Sequence, residues 1–307
     1  VGDVLDVSPD DIAPHDILTA GFPCQPFTTR GHQKGLDDDR GKLYRELVRI
    51  LVETQPKWFI FENVVGLVTM AGGQRWHTEG VFTAGEVFAR ILEAFEGCGY
   101  AVEWRVVNSR HYLPQNRERV YMVGTRNNLP KSGMDWTRVQ SGTKAGSASI
   151  VRDSLEPKDS PAVQACEVSE TQWKKVQSIH RLKHTTAQLS GSIDIHGKAS
   201  TLISHYHKVS SYSTQFVFEE RDGTRRDGLE GRRRPRFLTP RECCRLMGFP
   251  ESFLVPSFDT SERCDVAHFY QGIGNAVTPP VITAIANELL CGSLKKGCDG
   301  DCGTPHF

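Results

Sequence analysis

The chain has no run of about 18 consecutive apolar residues and no basic-then-apolar leader, so neither a membrane-spanning helix nor a secretory signal is expected. It has no Cys-x-x-Cys pair: its nine cysteines stand at 24, 98, 166, 243, 244, 264, 291, 298 and 302. An odd, scattered set argues for reduced thiols, and the tail residues Cys291, Cys298 and Cys302 lack the paired spacing of a zinc site, so no metal is expected. Net charge is absent too, with 37 Lys and Arg against 37 Asp and Glu. That excludes a protein that coats nucleic acid by bulk electrostatics alone. Nor is there compositional bias. At 38% hydrophobic and 24% charged over 307 residues the chain should fold, with a core large enough to need no staple.

The charge that is present is unevenly placed. Between Arg221 and Arg245 lie nine arginines against four acids, a local patch able to face phosphate oxygens or a solvated loop. Ahead of it, the first half alternates as an open α/β sheet with crossover helices does. Asp16 to Gly21 reads as a strand stopped by Pro23. Leu43, Leu47, Ile50 and Leu51 recur at helical spacing before Pro56, and Trp58 to Phe61 reads as the next strand. Val87, Phe88, Ile91, Leu92 and Phe95 form a second helical stripe closed by Gly97 and Gly99, followed by strands at Ala101 to Val107 and Arg119 to Val123. From Asn127 to about Arg236 the composition turns polar and aperiodic, with β-leaning pieces such as Thr214 to Phe218. A separate loop-rich module is expected there. Helices restart at Thr239-Pro240-Arg241-Glu242, a capping box with Pro at the first helical position, and at Thr278-Pro279, where Val281, Ile282, Ile285 and Leu289 share one face.

Three groups then draw attention. Cys24, in Gly21-Phe22-Pro23-Cys24-Gln25-Pro26-Phe27, stands just past a strand end, where open α/β sheets place their ligand crevice. Glu62, in Phe61-Glu62-Asn63-Val64, stands at the end of the next strand, hence on the same edge. Arg117 and Arg119 precede another strand and are expected to point to opposite faces, so that one of them looks into the crevice. Singly, each has a bland reading: an inert thiol, a capping carboxylate, a surface arginine. Together they make a nucleophile, a proton donor and a clamp for a carbonyl or an anion.

Pro23-Cys24-Gln25, Glu62-Asn63-Val64, Gln115-x-Arg117-x-Arg119, Arg241-Glu242 and Gly274-Asn275-x-Val277-x-Pro279-Pro280 occur in the order and kind of the cytosine-5 DNA methyltransferases. The chain resembles that family over about residues 1 to 127 and 237 to 290. The resemblance implies an α/β fold: a Rossmann-like S-adenosylmethionine-dependent methyltransferase sheet with a smaller loop-rich target-recognition domain. The catalytic domain is expected over 1–127 and 268–291, target recognition over 128–267, and a tail over 292–307. It implies that Cys24 attacks C6 of a flipped cytosine, Glu62 supplies a proton at N3, Arg119 holds O2 and Arg117 supports the loop. Thr28 to Arg40 matches the loop that closes over the base, with Gln25 and Thr28 near DNA; Thr201-Leu202 resembles the family's phosphate-contacting pair, and Arg232, Arg233 and Arg234 are expected to meet phosphate.

For the cofactor, S-adenosyl-L-methionine, the resemblance implies Asp3 near the adenine, Pro23 and Leu43 lining the pocket, and Asn275 with Ala276 at the methionine end. The family's glycine-rich first loop, Phe-x-Gly-x-Gly, does not precede Asp3 and does not reappear after residue 290. An N-terminal segment is therefore expected to be missing or supplied as a separate polypeptide, the chain alone being inactive and the complete enzyme a monomer. Double-stranded DNA is the expected partner, as in restriction-modification, in the cytoplasm or nucleoid of a prokaryote or the nucleus of a eukaryote. A tRNA-acting branch of the same fold is the alternative. Its Cys-Phe-Thr tripeptide does not occur here. A catalytically silent DNA-binding relative is the other.

Overall fold

The computed structural model describes residues 2–23, 43–76, 81–130, 133–182, 193–206, 208, 215–218, 235–256 and 263–294. By their internal contacts the residues fall into two compact units. One comprises Val1–Asn108, Glu118–Gln140 and Ala284–Phe307; the other comprises Ser109–Arg117 and Ser141–Thr283. Residues 109–117 thus group with the second unit rather than with the sheet.

In the first unit β1 (Ile17–Gly21) leads through α1 (Tyr44–Thr54) to β2 (Trp58–Val64). Tyr44, Leu47, Ile50 and Leu51 form the buried stripe of α1. The helix stops at Gln55, left-handed at φ 46°, ahead of Pro56, which has no N–H to continue it. After α2 (Val65–Thr69) come a two-stranded ribbon, β3 (Gln74–Trp76) with β4 (Val81–Thr83), and α3 (Glu86–Glu96), then β5 (Tyr100–Asn108) and β6 (Glu118–Arg126). Phe88, Ile91 and Phe95 are the buried face of α3. Phe95-Glu96-Gly97-Cys98-Gly99 spells Phe-x-Gly-x-Gly, yet it only closes this helix: Phe95 lies in the core and Gly99 turns the chain at φ 88° into β5.

The four-stranded sheet has the order β1-β2-β6-β5. β1 and β2 are parallel, as a helical crossover requires, but β6 inserts antiparallel between β2 and β5, so the sheet is mixed. Phe59 and Phe61, alternate residues of β2, share a face and stack at 4.3 Å over Phe95 and Tyr100. Gly124, directly opposite Phe59, makes room for that ring: a Cβ there would lie 2.0 Å from it. Burial of rings such as Phe59, Phe61, Phe88 and Phe95 contributes about 1.5–3 kcal/mol each.

The second unit contains α5 (Lys144–Ala148), α6 (Pro161–Ala165), α7 (Glu170–Leu182), α8 (Pro240–Met247) and α9 (Arg263–Asn275); α4 (Trp136–Ser141) precedes them and α10 (Pro279–Leu294) follows. Its extended pieces meet in isolated bridges, Val217 and Glu167 each with Arg236 and Gln115 with Ala199, which agrees with a loop-rich module. Trp173, Tyr206, Phe216, Phe237, Leu246 and Tyr270 belong to its core.

α8 opens with the capping box read from the sequence: Thr239 Oγ1 accepts from Glu242 N–H, and the Glu242 carboxylate accepts from Thr239 N–H. Glu242 does more. Fully buried, it takes both guanidinium nitrogens of Arg236 at 2.8 and 2.9 Å and the backbone N–H of Glu156. The arginine-rich stretch therefore does not all face phosphate. Arg236 is buried in this pair, Arg245 forks onto Glu251, and Arg241 donates to the Phe253 carbonyl. The six arginines from 221 to 234 lie outside the described residues. Glu242→Ala would leave the Arg236 charge buried without its partner and is expected to cost about 3–5 kcal/mol, read from a urea titration; a loss under about 1 kcal/mol would contradict a buried pair.

Among the described residues no helix is long and apolar enough to cross a membrane, and no group of three or more His, Cys, Asp or Glu could hold a metal ion.

Candidate functional site

Strand register builds the site at one edge of the sheet. Because β1 and β2 are parallel, their C-terminal ends coincide, and Gly21 stands beside Glu62. Because β6 runs antiparallel, its N-terminal end meets the same edge: Tyr121 lies opposite Glu62, and Arg119 opposite Val64. Glu62 and Val64 share a face, as do Tyr121 and Arg119, so Glu62 and Arg119 are diagonal neighbours. Their side chains meet, Arg119 Nε to Glu62 Oε1 at 2.9 Å, with both largely buried. The carboxylate lies over Gly21, where an added Cβ would come 3.6 Å from Glu62 Oε2. β2 runs on to Val64, so Glu62 is a strand residue, aimed by the pleat.

On the opposite face Asn63 is buried and its Nδ2 donates to the Phe22 carbonyl at 3.1 Å. That bond ties the end of β1, two residues before Cys24, to β2. Asn63 was legible as part of Glu-Asn-Val but not as an anchor, because an amide's partner is a tertiary fact. Glu118, between the two arginines, is gripped at both oxygens by Arg75, at 2.7 and 3.0 Å, which fixes the start of β6. Cys24, Gln25 and Thr28, with the rest of 24–42, lie outside the described residues. So do Arg232, Arg233 and Arg234.

Arg117 and Arg119 have different surroundings, though not by strand alternation, which puts residues two apart on one face. Arg117 precedes β6 and belongs to the second unit. There it is 2% exposed and donates to the carbonyls of Leu202 (2.9 Å), Gly274 (3.0 Å) and Ala276 (2.7 Å). A guanidinium spent on three backbone carbonyls is a brace. Gln115, fully buried beside it, accepts from Leu202 N–H at 3.0 Å and donates to the Leu246 carbonyl at 2.9 Å. Thr201 donates its hydroxyl to the Asn116 carbonyl at 2.7 Å, and Leu202 is buried. The second unit thus gathers Arg117, Thr201, Leu202 and Ala276, with Asn275 exposed at the end of α9.

The remaining cofactor candidates lie in the first unit. Asp3 is exposed and caps a short 3-10 turn through Leu5 N–H; that turn is tied to α1 by Arg49, which donates to the Val4 carbonyl. Leu43 flanks the start of α1, and Pro23 follows Phe22; both are half-buried. An exposed carboxylate and two apolar side chains have the chemistry to meet an adenine amine and the faces of an adenosyl group.

The other thiols carry a useful contrast. Burial pushes Cys166 up to about 12 and Cys244 up to about 11, and raises Cys98 and Cys243. A thiol held protonated is a poor nucleophile, so these four are core residues.

The chain is similar in structure to the S. pombe Dnmt2 methyltransferase, with a TM-score of 0.65 at 19% identity, covering 97% of this chain and 84% of that one. It is similar also to the Entamoeba histolytica methyltransferase EhMeth, at 0.67 and 17%, covering 95% and 82%. The fold is that of these methyltransferases. Residues 1–291 match the C-5 cytosine-specific DNA methylases, and the chain belongs to that family. Among curated relatives, Type II methyltransferase M1.ScrFI of Lactococcus lactis subsp. cremoris is 33% identical over 296 residues, and Type II methyltransferase M.NlaX of Neisseria lactamica is 32% identical over 292. Each alignment takes in 94% of this chain, which spans 66% of the first relative and 80% of the second.

Proposed function

We propose that the enzyme to which this chain belongs methylates C5 of a flipped cytosine in double-stranded DNA through a covalent adduct at Cys24. The observation that carries the reading is the pairing of Glu62 with Arg119 at the sheet edge reached by the end of β1. N3 and O2 are neighbouring atoms on one edge of cytosine. An acid and a guanidinium already in contact are suited to grip both: Glu62, having taken up a proton from solvent before the site closes, donates it at N3 while Arg119 donates to O2. With negative charge withdrawn from that edge, the Cys24 thiolate adds to C6 and C5 becomes nucleophilic. S-adenosylmethionine supplies the methyl group, and Asp3, Pro23, Leu43, Asn275 and Ala276 are the residues that would hold it. Loss of the C5 proton to a water molecule, expulsion of the Cys24 thiolate from C6 and return of the N3 proton to Glu62 restore the aromatic ring. None of these atoms is reachable inside a stacked duplex, so the base is flipped.

The relatives are named Type II methyltransferases, which supports DNA as substrate and a place in restriction-modification. The test is bisulfite sequencing of a host free of cytosine methylation after expression of the complete gene to which this chain belongs. Methylcytosine at one short recurring sequence is expected, and unmodified DNA from a host making folded protein would defeat the reading.

Residues 128 to 236, with Thr201-Leu202, are proposed to choose the DNA site, with Arg232 to Arg234 contacting phosphate. Phosphate contacts position the protein without reading sequence. Replacing all three by Ala is expected to weaken binding to every duplex alike and to reduce the slope of log K against log salt by roughly 3. The methylated sequence should stay the same. A changed site would mean that these arginines read bases.

A further inference from the structure

We propose that Gln115 is a positioning residue that sets the Thr201-Leu202 segment for DNA, so that its loss weakens DNA affinity while leaving cofactor affinity intact. This rests on the reading of Thr201 and Leu202 as DNA contacts, and deepens it. Among the described residues, 199–202 pair in no strand ladder. A bridge joins Ala199 to the segment 114–116, with Ala199 N–H donating to the Pro114 carbonyl and Asn116 N–H to the Ala199 carbonyl. Beyond that bridge, side chains take over the role of a neighbouring strand. Gln115 Oε1 accepts from Leu202 N–H, Arg117 donates to the Leu202 carbonyl, and Thr201 donates to the Asn116 carbonyl. On the far side, Gln215 holds both backbone groups of Ser200, at 2.8 and 2.9 Å.

The two buried braces differ in where their other ends go. Arg117 reaches Gly274 and Ala276, which flank the residue proposed for the methionine end of the cofactor. Gln115 reaches the Leu246 carbonyl in the last turn of α8, one of the carbonyls that a helix leaves without an intrahelical donor. Gln115 therefore joins the DNA-facing pair to α8 and not to the cofactor residues. Its amide is matched at both ends: oxygen toward an N–H, nitrogen toward a carbonyl. Gln115→Glu keeps the shape and the acceptor but sets oxygen against oxygen at Leu246. Gln115→Leu removes both bonds, and with them the contact of the same Nε2 to the Met247 sulfur at 3.3 Å.

The experiment measures two dissociation constants for each folded variant of the complete enzyme: for a fluorescent duplex carrying the methylated site, by anisotropy, and for S-adenosylmethionine, by calorimetry. Both Gln115 variants are expected to raise the DNA constant tenfold or more and to keep the cofactor constant within twofold. Arg117→Met, by contrast, should weaken both. If Gln115→Leu does not fold, the isosteric Gln115→Glu decides alone. Equal losses for the two ligands would show a general packing role and overturn the proposal, as would DNA binding within twofold of the parent. Thr201→Val checks the reading beneath it. If that variant binds DNA as the parent does, the DNA-contact reading has failed and the proposal falls with it; if Thr201→Val weakens DNA while the Gln115 variants do not, only the proposal fails.

Discussion

Cys24→Ser is expected to abolish methyl transfer, by at least about 10⁴-fold, the scale on which the loss of a nucleophile is felt. β1 ends at Gly21, Asn63 pins the Phe22 carbonyl, and the thiol follows two residues later in Pro-Cys-Gln. Cys98, Cys166, Cys243 and Cys244, by contrast, are held protonated by burial. Without addition to C6, cytosine C5 is too poor a nucleophile to accept a methyl group, so no slower route of the same kind remains. The direct measurement uses DNA carrying 5-fluorocytosine at the target. Fluorine cannot leave in the elimination step, so the parent protein should be trapped as an adduct stable to denaturing electrophoresis. An adduct still formed by Cys24→Ser would place the nucleophile elsewhere.

The second large effect is expected at Glu62. Glu62→Gln preserves shape and keeps an acceptor for Arg119, whose Nε stands 2.9 Å from the carboxylate, but it cannot deliver a proton to N3. Methyl transfer should fall by about 10²-fold or more, the usual weight of a positioned general acid. Because the base still finds a hydrogen-bond donor in the amide, DNA affinity and thermal stability should change little. The loss therefore belongs in kcat with KM for DNA nearly constant. Turnover near the parent's would reduce Glu62 to a structural partner of Arg119. A matching rise in KM would make it a binding residue instead.

Local chemistry was legible in the residues. Helical spacing marked α1 and α3, apolar runs marked β1 and β2, and the Thr239 capping box marked the start of α8 to the residue, because each depends on side chains within one or two turns of each other. The motifs carried the family, and they placed a thiol, an acid and an arginine beside strand ends. What the residues did not carry was the partner of each group. The stretch from Arg221 to Arg245 reads as one charged patch, yet Arg236, Arg241 and Arg245 are spent inside the fold on Glu242, Phe253 and Glu251.

The sequence by itself determined the α/β class and the family and offered the reactive side chains now proposed, since these follow from short-range pattern and residue type. Only the tertiary structure decided that β6 runs antiparallel between β2 and β5, and that choice brings Arg119 diagonally beside Glu62. It alone also separated the neighbouring arginines, Arg119 onto an acid and Arg117 onto three carbonyls, and gave Gln115 the two ends of its amide bonds. The reason is that strand pairing and buried hydrogen bonds join residues far apart along the chain. Any polar group taken out of water must find a partner, but which partner it finds depends on how distant segments meet.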